Sequence, residues 1–246
     1  MLTLDAGSSL LGAWVSLASD GKITVEAMNA MGYDAMGIGL MDGIKGLDVL
    51  LARRDEAAFP VLSANLVYVD GEAPVLEPYA VVVRDGVRFG LLGLTDAEFA
   101  QGPGLATAVT VRDATAAAAE YVPAVRALAD VVIVLSSLGN EADQALAAAV
   151  PGIDVIVGSK SAILMQEPER VGDTLIVQQG YLGEWLGVLH ARYGADGSLE
   201  EATVRAQALG PVYADDPALA ALVAKYKELY PTPTSLALAA TPQPSN

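Results

Sequence analysis

The sequence predicts a layered α/β domain with mixed sheets, and three observations carry that prediction. Short β-branched runs such as Val131–Leu135 alternate with alanine- and leucine-rich stretches of helical period such as Ala114–Leu128. Two Asp-Gly steps, in Arg84-Asp85-Gly86-Val87 and Gly194-Ala195-Asp196-Gly197, lie between apolar alternating segments and mark hairpins, so the sheets are not purely parallel. Hydrophobic residues make up 53% of the 246, and a chain of this length buries roughly 70% of its unfolded surface in one compact domain.

The elements follow in order from local pattern. Leu2–Leu4 reads as a strand, Ile23–Met31 as a helix with apolar residues three and four apart, and Ala35–Ile38 as a buried strand. Gly46–Ala57 is helical in period, and the apolar run Pro60–Val69 reads as one long strand. Ala80–Val83 and Val87–Leu94 flank the first Asp-Gly turn. The alanine-rich helix Ala114–Leu128 packs a core, and then strand Val131–Leu135, helix Asn140–Ala149 and strands Asp154–Val157, Thr174–Gln178 and Gly187–Tyr193 continue the alternation. Asp215-Asp216-Pro217 caps a last amphipathic helix over Ala218–Leu229, with Asp accepting the first amides and Pro in the first turn. Beyond it, 231–246 holds Pro231, Pro233, Pro242 and Pro244 among Thr, Ser and Ala, a composition expected to stay disordered. The expected organisation is one domain over 1–214, a C-terminal helix over 215–230 and a tail over 231–246.

Composition excludes several chemistries. The chain has no cysteine and one histidine, which removes thiolate zinc sites, disulfides, Cys nucleophiles and any mechanism needing several imidazoles from this chain. A net charge of −16 with scattered cations repels phosphate backbones, so no nucleic-acid partner is expected. No uncharged apolar run reaches the ~18 residues of a membrane span, and the N-terminus lacks the basic flank of a signal peptide.

Four short stretches carry a family resemblance: Leu4-Asp5-Ala6-Gly7-Ser8-Ser9-Leu10-Leu11-Gly12, Gly37-Ile38-Gly39-Leu40-Met41-Asp42-Gly43, Leu135-Ser136-Ser137-Leu138-Gly139 and Val157-Gly158-Ser159-Lys160-Ser161. With the contexts Glu26–Met36, Phe59–Asn65 and Ala149–Ile156, they resemble the 5′-nucleotidase branch of the calcineurin-like metallophosphoesterases over nearly the whole folded chain. The resemblance implies a four-layer α/β/β/α sandwich with mixed sheets. It also implies a reaction in which two divalent metals, held by Asp, Asn and His on loops after strands, activate water against phosphorus. The family's first Asp-x-His motif has no counterpart here. The chain is therefore expected to lack the family's first strand and its separate C-terminal substrate domain.

Carried over position by position, the resemblance puts the bridging carboxylate of the Gly-Asp motif on Ser8. It puts the Gly-Asn-His-Glu signature on Gly39-Leu40-Met41-Asp42, the Ser-His-Leu-Gly ligand on Ser137, and the Gly-His-Ser-His pair on Lys160 and Ala162. Only Asp42 keeps an acidic side chain. Hydroxyl, thioether, ammonium and alkyl groups are poor ligands for hard dications, so no metal and no catalytic residue are expected at these positions. Leu40 and Met41 are expected to fill the space as a dry, packed pocket.

Competing readings of single residues stand side by side. Asp42 and Lys160 either form an ion pair across the old site or point into solvent on separate loops. Asn65 either faces the substrate side of the site, as a family position does, or caps main-chain groups at a strand end. Tyr181 and Trp185 lie where the family has a glycine-rich loop, and are candidates for partner contact or plain loop packing. His190 reads as a sheet residue. Ser8, Ser136 and Ser137 lack a Gly-x-Ser-x-Gly elbow, and Gly37-x-Gly39-x-x-x-Gly43 misses the dinucleotide spacing.

The functional expectation is an inactive 5′-nucleotidase relative without cofactor, acting as a binding or structural module, with a protein partner or as a homo-oligomer. The alternative is a divergent phosphoester hydrolase whose site is rebuilt or completed by a partner. Family resemblance favours an extracytoplasmic location.

Overall fold

A computed structural model describes residues 1–70, 73–194 and 199–233. In chain order the first half comprises β1 (Leu4–Asp5), α1 (Trp14–Ala18), α2 (Lys22–Met31), β2 (Ala35–Gly37), α3 (Leu47–Glu56), β3 (Val61–Leu62), β4 (Leu66–Tyr68), β5 (Tyr79–Arg84) and β6 (Val87–Leu94). The second half comprises β7 (Val109–Val111), α4 (Ala114–Leu128), β8 (Val131–Ser136), α5 (Asn140–Ala149), β9 (Val155–Gly158), β10 (Glu169–Val171), β11 (Thr174–Val177), β12 (Trp185–Tyr193), β13 (Leu199–Ala208) and α6 (Pro217–Leu229). Single 3-10 turns cover Leu40–Gly43 and Ala97–Gln101.

Two sheets face each other. The larger has six strands in the order β10-β11-β9-β8-β6-β5, parallel through β11, β9, β8 and β6 and antiparallel at both edges; the second runs β1-β2-β3, all parallel. Between them lies a core of Ala35, Leu62, Leu91, Ile133, Leu135, Val155, Leu175 and Val177. Helices α4 and α5 cover the outer face of the large sheet through Ala117, Val122 and Leu146 against Leu92, Val134 and Ile156. Helices α2 and α3 cover the small sheet through Val25, Met28 and Leu50 against Met36 and Val61. This is the expected α/β/β/α layering, with the buried parallel strands reading as continuous apolar runs.

The sheets approach closely because glycine stands where a side chain would collide. A Cβ on Gly93 of β6 would lie 2.2 Å from the Leu62 carbonyl oxygen of β3. The first Asp-Gly step forms the tight β5–β6 turn, with Asp85 at φ 52° and Gly86 at φ 82°, the left-handed pair a type I′ hairpin requires. Strands β12 and β13 pair antiparallel, as the second Asp-Gly step predicts, although its turn residues 195–198 lie outside the described residues. Most of the expected tail, from residue 234 on, also lies outside them.

One strand expectation needs correction. Pro60–Val69 is two strands in two sheets: β3 pairs with β2, and β4 pairs antiparallel with β7. The break at Ser63-Ala64-Asn65 comes from contacts to β6, where the Ala64 amide donates to the Gly93 carbonyl (2.8 Å) and the Asn65 side chain accepts from the Thr95 amide (2.8 Å). Helix α6 lies on α2, where the buried Tyr226 hydroxyl donates to Glu26 Oε1 at 2.6 Å. No helix among the described residues is long and apolar enough to cross a membrane.

Candidate functional site

Parallel strands of both sheets deliver their following loops to one end of the sandwich, which gathers the loops after β1, β2, β3, β6, β8 and β9. Hydroxyls stitch them together. Ser137 Oγ donates to the Ile38 carbonyl (2.9 Å) and accepts the Asp96 amide (3.1 Å). Ser159 Oγ lies 3.2 Å from the carbonyls of Ala6 and Ser136, and Ser63 Oγ and Thr95 Oγ1 are 2.7 Å apart. The turn after β1 is left-handed at Gly7 (φ 101°) and Ser8 (φ 67°). It brings Ser8 so close to the loop after β2 that a Cβ on Gly39 would stand 2.3 Å from Ser8 Oγ.

Asp42 sits at the centre of this junction, 1% exposed. Its Oδ2 accepts the amides of Ser8 (2.6 Å) and Gly39 (2.8 Å), and its Oδ1 accepts the amide of Leu10 (2.8 Å). Burial pushes its carboxyl up to about 7, against the three amides that pull it down, and the neighbouring Asp5 charge adds to the rise. Asp5 itself accepts the Gly7 amide (2.8 Å) and the Ser9 hydroxyl (2.8 and 2.9 Å). The two carboxylates organise the loops from within.

Neither reading of the Asp42 and Lys160 pair holds. Lys160 Nζ lies 2.9 Å from Asp96 Oδ2 and 3.5 Å from Glu98 Oε1, whereas Asp42 is buried among amides and faces neither the ammonium nor solvent. The sequence signal for Asp96 was present: an Asp before a short turn is a natural cap, and its Oδ1 accepts the Glu98 amide at 2.8 Å. The expected dry pocket is corrected as well. Leu40 is 41% exposed and Met41 half-buried, because the turn that buries Asp42 rotates the preceding residues outward. Lys160 and Ala162 are exposed, and both adopt left-handed φ, 72° and 54°.

Asn65 is fully buried, and its amide donates to the carbonyls of Thr95 (2.8 Å) and Arg112 (3.1 Å). Its oxygen accepts from Thr95, which leaves it no free polar atom, so the geometry supports the capping reading. Tyr181 is 64% exposed in the loop that leads into β12, and Trp185, the first residue of that strand, is half-buried. His190 lies exposed on β12 opposite Thr203. Ser136 donates to the buried Asp143 of α5, an acidic residue the sequence reading did not single out. Its signal was positional, since Asp143 shares a helix face with the buried Leu146 and Ala147.

No protein-family profile matches the chain. It is 33% identical over 177 residues to the metallophosphoesterase YunD of Bacillus subtilis, covering 71% of this chain and 38% of that protein. It is 29% identical to the bovine 5′-nucleotidase over 92% of this chain and 44% of that protein. The crystal structure of a 5′-nucleotidase precursor from Thermus thermophilus superposes with a TM-score of 0.85 at 26% identity, over 98% of this chain and 50% of that one. The chain is a homologue of the metallophosphoesterases, on their 5′-nucleotidase branch. It spans half or less of the length of these relatives.

The side chains at the carried-over positions do not fit a pair of dications. Ser8 brings a neutral hydroxyl, the side chains of Ser137 and Asp42 are engaged in main-chain contacts, Lys160 brings an ammonium, and Leu40 and Ala162 bring no donor atom. Among the described residues no group of three or more His, Cys, Asp or Glu is placed to hold a metal ion.

Proposed function

We propose that this domain keeps the 5′-nucleotidase scaffold without its metal-dependent hydrolysis and serves as a binding or structural module, either with a protein partner or as a homo-oligomer. The supporting observation is the use made of Asp42. Of the positions carried over from the family's metal motifs, it alone retains a carboxylate, and both of its oxygens accept main-chain amides that hold the site loops together. A metal on Oδ2 would have to displace one of its two amides, leaving a buried N–H group unpaired at about 1–3 kcal/mol. The hydroxyl contacts of Ser137 and Ser159 knit the same loops to both sheets.

The test is metal analysis of the purified protein together with turnover of AMP and an aryl phosphate in added manganese. The expected result is sub-stoichiometric metal and no turnover above a metal-only blank. Stoichiometric manganese with turnover lost in Ser137→Ala, in a variant that keeps its circular dichroism, overturns the proposal and favours a hydrolase with a rebuilt site.

A further inference from the structure

The six-stranded sheet ends in two edges of opposite character. At one, β10 has three residues, two of them the charged Glu169 and Arg170, and it follows Pro168. Short length, charge and proline are the devices that stop an edge strand from pairing further. At the other, β5 runs Tyr79-Ala80-Val81-Val82-Val83-Arg84, uncharged until its last position, without proline and in unbroken register with β6. Among the described residues it pairs with β6 alone.

Ala80 and Val82 pack on the inter-sheet core and fix this strand from within. The residues flanking a two-residue turn bond to each other, so by alternation Ala80, Val82 and Arg84 bond to β6. The main-chain groups of Tyr79, Val81 and Val83 then point away from it. Arg88 has the matching phase: it lies opposite Val83 and sends its own carbonyl the other way, to the Asp130 amide (2.8 Å). Of the outward groups, the Val83 carbonyl accepts Arg84 Nη1 (2.9 Å), and the rest have no partner among the described residues. The side chains of the same three residues lie on the outer face, where Tyr79 meets Tyr121 of α4, Val81 is exposed and Val83 is 56% exposed. A row of free amides and carbonyls on a flat, β-branched strand is a template for one further strand.

We propose that β5 pairs with β5 of a second copy of this chain, antiparallel about a two-fold axis at Val81, so that the large sheets of two copies run on as one. In that register Val81 faces its own counterpart and Tyr79 faces Val83, which gives β-branched and aromatic cross-strand pairs on the outer face. Local charge permits the pairing. Arg84, Arg88 and Arg112 stand around the edge and are ion-paired within the chain to Asp34, Asp130 and Glu120, so these charges cancel. Glu77 and Asp85 lie just outside the strand and are exposed, where solvent and salt screen them. The helices leave room as well. Helix α4 lies over β6, with Val125 in the space above Gly90. In the joined sheet the two α4 helices stand three strand spacings apart, roughly 14 Å, beyond the about 8–10 Å of direct helix contact. The strand spans roughly 20 Å, so the interface is small and exchanges between monomer and dimer at micromolar concentration. This names the second copy among the partners proposed above and rests on that reading.

The experiment is sedimentation velocity on the full chain from about 2 to about 200 µM, the range in which small interfaces exchange, with amide hydrogen exchange at both ends of that range. The expected result is a reversible dimer whose amides at 79–83 exchange more slowly as concentration rises. Val81→Pro deletes an outward N–H without removing a bond to β6, and Val81→Lys sets two ammonium groups against each other on the axis. Each should weaken the dimer tenfold or more and leave the circular dichroism of the dilute protein unchanged, whereas Arg170→Ala on the opposite edge should leave the dimer as it was. A variant that loses its circular dichroism is set aside and the other decides; if both do, the wild-type exchange data decide. A monomer throughout the range overturns the proposal, as does a dimer that both variants preserve or protection confined to other segments. Full protection of 79–83 already present in the dilute monomer also overturns it, since the chain's own tail would then hold the edge. AMP turnover with manganese is read on the same samples. Turnover by a dimer overturns the loss of hydrolysis and leaves the dimer standing, and a monomer without turnover does the reverse.

Discussion

Ser8 donates its amide to Asp42 Oδ2 at 2.6 Å from a residue whose own φ is 67°. The carboxylate thereby holds a left-handed turn that a non-glycine residue rarely adopts. Asp42→Asn is expected to lower stability by about 2 kcal/mol, because an amide nitrogen replaces one acceptor and turns a donor toward buried donors. In a domain of this size that corresponds to a melting shift of roughly 4–8 °C. An unchanged melting temperature would show that the three amides are satisfied elsewhere.

The Lys160 contact to Asp96 is half-exposed and contributes little, about 0–1 kcal/mol, so Lys160→Met should be close to neutral. Lys160→Gly also removes the ion pair but relieves the left-handed backbone at φ 72°, worth about 1–2 kcal/mol. Denaturant midpoints should therefore rank the glycine variant above the methionine variant. The reverse order would mean that the ion pair and not the backbone decides this loop.

Asp143 is buried with one oxygen accepting from Ser136 and the other, Oδ2, without a hydrogen-bond partner among the described residues. Burial pushes its carboxyl up to about 7, against the pull of the Ser136 hydroxyl. With the native pKa above the unfolded one, the folded protein holds the extra proton between about pH 4 and 7. Stability from this group is therefore full in acid and lost as pH rises towards 7. Asp143→Asn removes the titration, so its urea midpoint should fall less than the wild type's between pH 5 and 8. Parallel curves for the two proteins would remove Asp143 as the source.

Gly93→Ala should prevent the two sheets from closing, since the added methyl would lie 2.2 Å from the Leu62 carbonyl oxygen. Soluble expression and a cooperative melt are the readouts. A variant that melts like the wild type would show that β3 shifts freely over β6.

Where the chain's pattern is repetitive and local, the sequence was informative: β6, α4 and α5 lie at the bounds their periodicity predicts. The split of Pro60–Val69 was not legible. Apolar runs look alike whether they stay in one sheet or cross between two, and the crossing is made by Asn65 and Ala64 bonding to β6. The second Asp-Gly hairpin implied a strand after its turn, but the bounds of β13 were not legible, because its charged residues Glu200, Glu201 and Arg205 lie exposed on a ribbon buried on one side only. At the site, motif alignment located the loops but not the direction of their side chains. The inward turn of Asp42 and outward turn of Leu40 depend on amides more than thirty residues away.

The tryptophans divide the molecule conveniently for an observer. Trp14 donates its indole N–H to the Pro231 carbonyl where the chain leaves α6, and Trp185 begins β12 of the two-stranded ribbon. These are the two tryptophans of the sequence. Replacing Trp14 with Phe leaves an intrinsic fluorophore in the ribbon alone, and replacing Trp185 leaves one at the tether of the last helix. Each half of the molecule can thus be watched through its own emission without an attached dye.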